Sequence, residues 1–166
     1  MQEIADLVNL RKASLYYHVS SKQEILVELL DDALDVLIAL LTEIRARPIS
    51  PPEKLRQAVG AYLHALTATR DLSSVLLFEH RSLTEEFKAR HTPRRDQFEG
   101  LWRDLIQEGV EGGFYAPTNP SLAAKTLLGT MNWFITWYNP EGALTSEEIG
   151  EYFVALFLDG LVRRDI

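Results

Sequence analysis

Three times in this chain a Ser or Thr stands three residues ahead of a Glu at the head of an apolar-periodic run: Ser21 and Glu24 in "SKQE", Ser50 and Glu53 in "SPPE", Thr145 and Glu148 in "TSEE". In such a box the hydroxyl and the carboxylate each take an N–H group that a helix start leaves unpaired, so each one predicts where a helix begins. Downstream of each, apolar residues recur at spacings of three and four, and the runs stop at proline, glycine or another capping residue. Nothing in the sequence reads as a strand, and the fold class is all-α.

The first run places Leu26, Leu30, Ala33, Leu37, Leu40 and Ile44 on one face before Pro48 stops it. A helix from about Ser21 to Arg47 would be roughly 40 Å long, enough to tie an N-terminal module to a C-terminal one. "SPPE" opens a second helix to about Thr69, and "DLSSVLLFEHRSLTEEFKARH" suggests one or two shorter ones. Thr92 and Pro93 are expected to start an amphipathic helix with Phe98, Leu101, Trp102, Leu105 and Ile106 inward, Arg95, Glu99, Arg103 and Glu108 outward, and an end at Gly112-Gly113. Asn119 and Pro120 open a helix carrying "LLGTMNWFITWY", and the Thr145 box opens a last one carrying Ile149, Tyr152, Phe153, Leu156, Phe157 and Leu161. These two final helices are apolar over more than one stripe. They must bury two faces, in the middle of a domain or against another chain.

With 166 residues, 46% of them apolar and 25% charged, the chain is long enough for one substantial core and too apolar to be largely disordered. It has no cysteine, which excludes disulfides, thiol redox chemistry, Cys-ligated zinc and cysteine nucleophiles together. No basic segment followed by an apolar run opens the sequence, and "LDVLIALLTEI" is too short and too closely flanked by acids to span a bilayer. The expectation is a cytoplasmic protein without membrane attachment. His64, His80 and His91 lack metal-ligand spacing, and there is no G-x-S-x-G, phosphate-binding glycine loop or H-E-x-x-H, so neither an enzyme nor a metal or cofactor is expected.

Formal net charge is -7, which argues against non-specific binding of nucleic acid by the surface as a whole. Against that background "NLRKASLYYHVSSK", residues 9–22, holds Arg11, Lys12 and Lys22, a Tyr-Tyr-His run and no acid. "MQEIADLV" and "KASLYYH" read as two short helices joined by a tight break, a helix-turn-helix pattern whose second helix can lie in the major groove. The segments "EIADLV", "NLRKASLYYHV" and "SSKQEIL" together resemble the TetR family of bacterial transcriptional regulators, in which an "IA" helix, a "GVSxxTLYxxF" recognition segment and "xSKxxLL" follow one another. Asn9 and Arg11 stand where the family commonly has Gly and Ser. The family also normally carries a further helix of about 20 residues before the "IA" helix, and the expectation is that the sequence given is shortened there.

The resemblance implies an N-terminal helix-turn-helix and linking helix over residues 1–46, and an effector-binding and dimerisation domain over 47–166. Carried over position by position, it puts Lys12, Ala13 and Ser14 at the start of the recognition helix, Tyr16, Tyr17 and His18 in its aromatic segment, and Lys22 at the start of the long helix. Lysines and hydroxyls can bond phosphate oxygens, Ala13 can meet a thymine methyl, and Lys22 would act with the positive end of its helix. The implied function is a homodimeric repressor on palindromic operator DNA, released by a small apolar or acyl-CoA-type effector. "RRDQFEGLWRDLIQEGV" and "LLGTMNWFITWY" look similar to members that sense acyl-CoA thioesters. The alternative is a ligand-binding helical dimer without DNA binding.

The effector-pocket candidates are Phe78, Trp102, Met131, Asn132, Trp133 and Trp137. Packing in the core or dimer interface is the favoured reading for most of the aromatic run, and Asn132 can bond either an effector or a neighbouring helix.

Overall fold

A computed structural model of the chain describes residues 21–161. Among them are six α-helices and no strand: α1 (Lys22–Ala46), α2 (Pro51–Ala68), α3 (Arg70–Phe78), α4 (Glu85–Glu111), α5 (Pro120–Trp137) and α6 (Ser146–Leu161), with a 3₁₀ turn at Glu79–Ser82 between α3 and α4.

The helix starts follow their capping chemistry in two of the three boxes. Ser21 Oγ accepts from the Glu24 N–H at 3.1 Å, and at α6 the pair is reciprocal: Glu148 N–H donates to Thr145 Oγ1 at 3.2 Å while Thr145 N–H donates to Glu148 Oε2 at 2.8 Å. Ser50 makes no such bond. Two prolines in the first turn of α2 remove N–H groups that a cap would serve, and Glu53 turns to Arg56 and Gln57. These hydrogen bonds to Gln57 and Arg56 hold the Glu53 carboxyl below its ordinary value. At the end of α4, Gly113 adopts φ +74°, a conformation glycine enters without a Cβ penalty.

The long fourth helix corrects the expectation that Thr92 and Pro93 open it. α4 begins at Glu85 and runs through Pro93 for 27 residues. Proline inside a helix costs about 3 kcal/mol in isolation, through a lost hydrogen bond and a clash with the carbonyl four residues back. Here Pro93 and Ala89 both lie on the exposed side, where water can serve the freed carbonyl. The two turns before it are held by tertiary contacts: Phe87 packs on a small cluster of Val27, Leu30 and Leu83, and buried His91 bonds to α1.

The stripe on α1 also differs in detail. Leu30, Leu37 and Ile44 are buried, but the rest of the buried face is Val27, Asp31, Leu34, Ile38 and Leu41, with Leu26, Ala33 and Leu40 only half-buried. α1 packs chiefly on α4, α2 on α6, and α5 on α4. The main core gathers Leu55, Val59 and Leu63 of α2 with Trp102, Leu105 and Ile106 of α4 and Leu127, Met131 and Phe134 of α5. At the start of α1, Gln23 donates to the Ser82 carbonyl and accepts from the Thr84 N–H, both at 2.9 Å, which fixes that end against the turn before α4.

Candidate functional site

Of the residues expected to meet DNA, Lys12, Ala13, Ser14, Tyr16, Tyr17 and His18 lie outside the described residues. Lys22 is the first residue of α1, and its side chain is exposed beside the Ser21 cap, at the positive end of the helix.

Behind α1 the helices form a partly open cavity of about 370 Å³, within the range of small-molecule sites. One side is apolar, formed by Leu34, Leu76, Leu77, Phe98 and Leu128. Across it, Tyr62 donates its hydroxyl to Asn132 Oδ1 at 2.7 Å, joining α2 to α5. Complete burial pushes the Tyr62 phenol up from its ordinary value, so the group stays a neutral donor. His80, Arg95, Asp96, Glu99 and Lys125 add a charged part to the lining, with Lys125 Nζ 3.5 Å from Glu99 Oε1.

His80 sits in this lining, whereas its neighbours Glu79 and Arg81 do not. Its pKa is lowered, first by burial and then by the positive charges of Arg95 and Arg81. Protonating it would add charge to a site that already carries two guanidinium groups nearby.

Among the six residues singled out for the pocket, Asn132 is in the cavity wall. Trp102 and Met131 are fully buried in the core. Trp102 backs the wall, edge-on to Tyr62 and Phe98 with ring centroids 5.8 and 6.3 Å away. Phe78, Trp133 and Trp137 are instead 46%, 65% and 50% exposed. Trp137 is edge-on to Phe134 and Phe153, while Trp133 lies on the outer side of α5.

The sequence reading missed a buried polar cluster between the cavity and α1. Asp31 lies 2.6 Å from His91 Nδ1 through one carboxylate oxygen and accepts from Arg94 Nη1 at 3.0 Å through the other. Arg94 also donates to Asp35, at 2.8 and 3.2 Å. Asp31 and His91 are 4% and 2% exposed, and His91 is part of the cavity wall. One signal was available: Asp31 falls inside the apolar stripe Val27, Leu30, Leu34, where an acid needs a buried partner.

A second apolar surface lies outside the bundle. Leu122 of α5 and Tyr152 and Leu156 of α6 are 64%, 66% and 63% exposed, and Leu122 and Leu156 line a groove of about 410 Å³ together with Leu127, Phe153 and Phe157. No helix among the described residues is long and apolar enough to cross a membrane, and no group of three or more His, Asp or Glu among them is placed to hold a metal ion.

An all-helical bundle with a lateral cavity, a long first described helix alongside it and an apolar outer face on the last two helices has the size and shape of a small-molecule-accommodating α-helical domain. Residues 48–161 match the family described as tetracyclin repressor-like, C-terminal domain, and the chain belongs to the TetR family. It is 29% identical over 166 residues to the HTH-type transcriptional repressor KstR2 of Mycolicibacterium smegmatis, covering 98% of this chain and 80% of that protein. Among solved structures it is similar to the TetR family transcriptional regulator PfmR from Thermus thermophilus, with a TM-score of 0.86 and 31% identity over 98% of this chain and 88% of that one. It is also similar to AibR in complex with isovaleryl coenzyme A and operator DNA, with a TM-score of 0.83 and 27% identity over 93% of this chain and 84% of that one.

Proposed function

We propose that this transcriptional regulator is a homodimeric repressor that binds a palindromic operator and is released by a small apolar or acyl-CoA-type effector held in the cavity behind α1. The observation that carries this reading is the shared wall: Leu34 of α1 lines the cavity, and α1 follows directly on the basic segment that resembles a recognition helix. A ligand that fits only one setting of α1 shifts the population toward it, and with it the separation of the two recognition helices. The family match, beginning at residue 48, supports a division into a DNA-binding part with its linking helix (1–46) and an effector and dimer domain (47–166).

In this reading Lys12, Ala13, Ser14, Tyr16, Tyr17, His18 and Lys22 face the operator, and two copies pair through α5 and α6. Leu122, Trp133, Tyr152 and Leu156 support that pairing, because so much apolar surface is costly to leave in water. The apolar side of the cavity suits an acyl chain, and Arg95 and Lys125, set among Asp96 and Glu99 in the same lining, offer donors to its polar end. KstR2 is a transcriptional repressor, and AibR has been seen with isovaleryl coenzyme A and operator DNA. A repressor of this kind works in the cytoplasm, performs no catalysis and needs no cofactor.

The test is a gel shift of the chain on DNA upstream of its own gene, with isovaleryl coenzyme A titrated in. Retention of the DNA, relieved by the thioester, is expected. Thioester binding without any DNA retention would leave a ligand-binding dimer and remove the repressor.

A further inference from the structure

The short helix α3 is apolar in sequence and poorly supplied with partners in the fold. Leu72, Val75, Leu76 and Leu77 are only half-buried, Phe78 is exposed, and Ser73 alone in this helix is buried. No side chain caps its first turn. A helix of nine residues is held by what it packs against, so α3 leaves apolar contact unclaimed. Space lies on two sides of it. On one side is the cavity behind α1, and on the other, between α1, α2 and α3, is a second, partly open cavity of about 220 Å³. Leu76 lines both. The small cavity is walled by apolar side chains, among them Ala33 and Val36 of α1, Ala65 of α2 and Leu72 of α3, with Thr69 and Ser73 as its polar members and no charged one.

The larger cavity is polarised toward the smaller one. Its charged lining, Arg95, Asp96, Glu99 and Lys125, belongs to α4 and α5, whereas α1 and α3 give it Leu34, Leu76 and Leu77. An amphipathic ligand therefore lies with its polar end at α4 and α5 and its apolar end against Leu76. We propose that the small cavity is an annex of the effector site, taking the far end of an extended, unbranched hydrocarbon chain that passes Leu76. This deepens the effector reading and rests on it, because it makes the effector one whose chain outruns the main cavity. Leu76 is the partition: it borders open space on both sides, and a change of rotamer at this one side chain joins the two cavities. The space is below the roughly 300 Å³ at which separate small-molecule sites begin, so it serves as an extension of its neighbour and not as a site of its own. A chain end there covers Leu72 and Val36, the latter 68% exposed, and supplies the contact that α3 lacks. The polar end of the ligand is either a free carboxylate or a coenzyme A thioester.

The experiment uses the full chain and two series of straight-chain probes, the free acids and the coenzyme A thioesters of butyrate, hexanoate, octanoate and decanoate, with affinity measured by calorimetry. Each buried methylene is worth about a fourfold gain, so affinity should still be climbing from octanoate to decanoate in the wild type. Ala65→Leu and Ala33→Leu fill the annex from two different helices, at half-buried positions that do not line the larger cavity. Each should leave butyrate affinity unchanged and lower the ratio of decanoate to butyrate affinity about tenfold or more. In the wild type, the terminal methyl of bound decanoate should show nuclear Overhauser contacts to the methyls of Ala33 and Ala65. A climb among the thioesters places the chain on coenzyme A, and a climb among the acids alone places it on a free carboxylate; both sustain the annex. Affinity that stops rising at hexanoate, a ratio unchanged in both variants, a chain end that meets neither alanine, or no binding at any length overturns it. These readouts are of binding alone, so failure of the chain to retain DNA removes the repressor and leaves the annex standing.

Discussion

Tyr62 and Asn132, 70 residues apart in sequence, share a 2.7 Å hydrogen bond that closes one wall of the cavity between α2 and α5. Tyr62 is fully buried, and its ring also packs against Phe98 and Trp102 with centroids 5.6 and 5.8 Å away. Tyr62→Phe keeps those ring contacts and removes the donor, leaving a half-buried amide oxygen unpaired. The expected loss is about 1 kcal/mol, a fall in Tm of about 2–4 °C for a chain of this size. Tyr62→Phe with Asn132→Leu should cost less than the two single changes added, because both partners of the bond are then gone. Strict additivity in thermal unfolding would mean that the bond contributes nothing in solution.

Gly109 and Tyr115 set the turn that ends α4. A Cβ on Gly109 would fall within the Tyr115 ring, and the N–H groups of Phe114 and Tyr115 both donate to the Gly109 carbonyl, at 2.9 and 3.1 Å. Gly109→Ala gains helix propensity of about 1 kcal/mol and loses more to overpacking, for a net destabilisation of about 1–2 kcal/mol in urea unfolding. In a Tyr115→Ala background the ring is absent and the same change should become neutral or stabilising. A similar cost in both backgrounds would sink the packing explanation.

His80 links the cavity to pH. Its pKa is lowered from 6.5 by burial first, then by Arg95 and Arg81, with His91 adding a smaller push the same way and a hydrogen bond at Leu77 opposing it. Between 6.5 and the lowered value the unfolded chain binds a proton that the folded chain refuses. Folding stability from this group is therefore complete above 6.5 and declines as pH falls through the lowered value. Thermal unfolding from pH 7.5 down to 5 should show a loss in the wild type and a smaller loss in His80→Gln. Identical slopes for the two proteins would take His80 out of the acid response.

How far all this could be read from sequence depends on whether the controlling forces are local. The Ser21 and Thr145 caps act within four residues, and both were legible because nothing distant competes for those hydroxyls. Pro93 misled because its helix-breaking preference is local, while Phe87 and His91, which carry α4 across it, find their partners on α1. Periodicity separates wet faces from dry ones but does not say what a dry face meets. It grouped Trp102, Met131, Asn132, Trp133 and Trp137 as candidates, and the fold sends two into the core, one to the cavity wall and two toward solvent. The Asp31 and His91 pair spans 60 residues, and only the misplaced acid in an apolar stripe hinted at it.

The exposed apolar face of α5 and α6 makes the last prediction. Leu122 and Leu156 border the outer groove, and Trp133 and Tyr152 extend the apolar surface of the same two helices. Soluble monomers seldom leave several large side chains this bare on adjacent helices, and a twofold axis through the groove would cover each helix with its mate. Leu156→Glu places a charge at that contact without touching the core, since Leu156 is 63% exposed in the single chain. Burying an unpaired carboxylate on each side of a symmetric interface costs several kcal/mol, enough to weaken association by a factor of about a thousand or more. Light scattering at micromolar concentration should therefore give the mass of a dimer for the wild type and of a monomer for Leu156→Glu, with far-ultraviolet circular dichroism unchanged. A variant that remains dimeric would place the subunit contact on another face and leave the groove between α5 and α6 open to solvent.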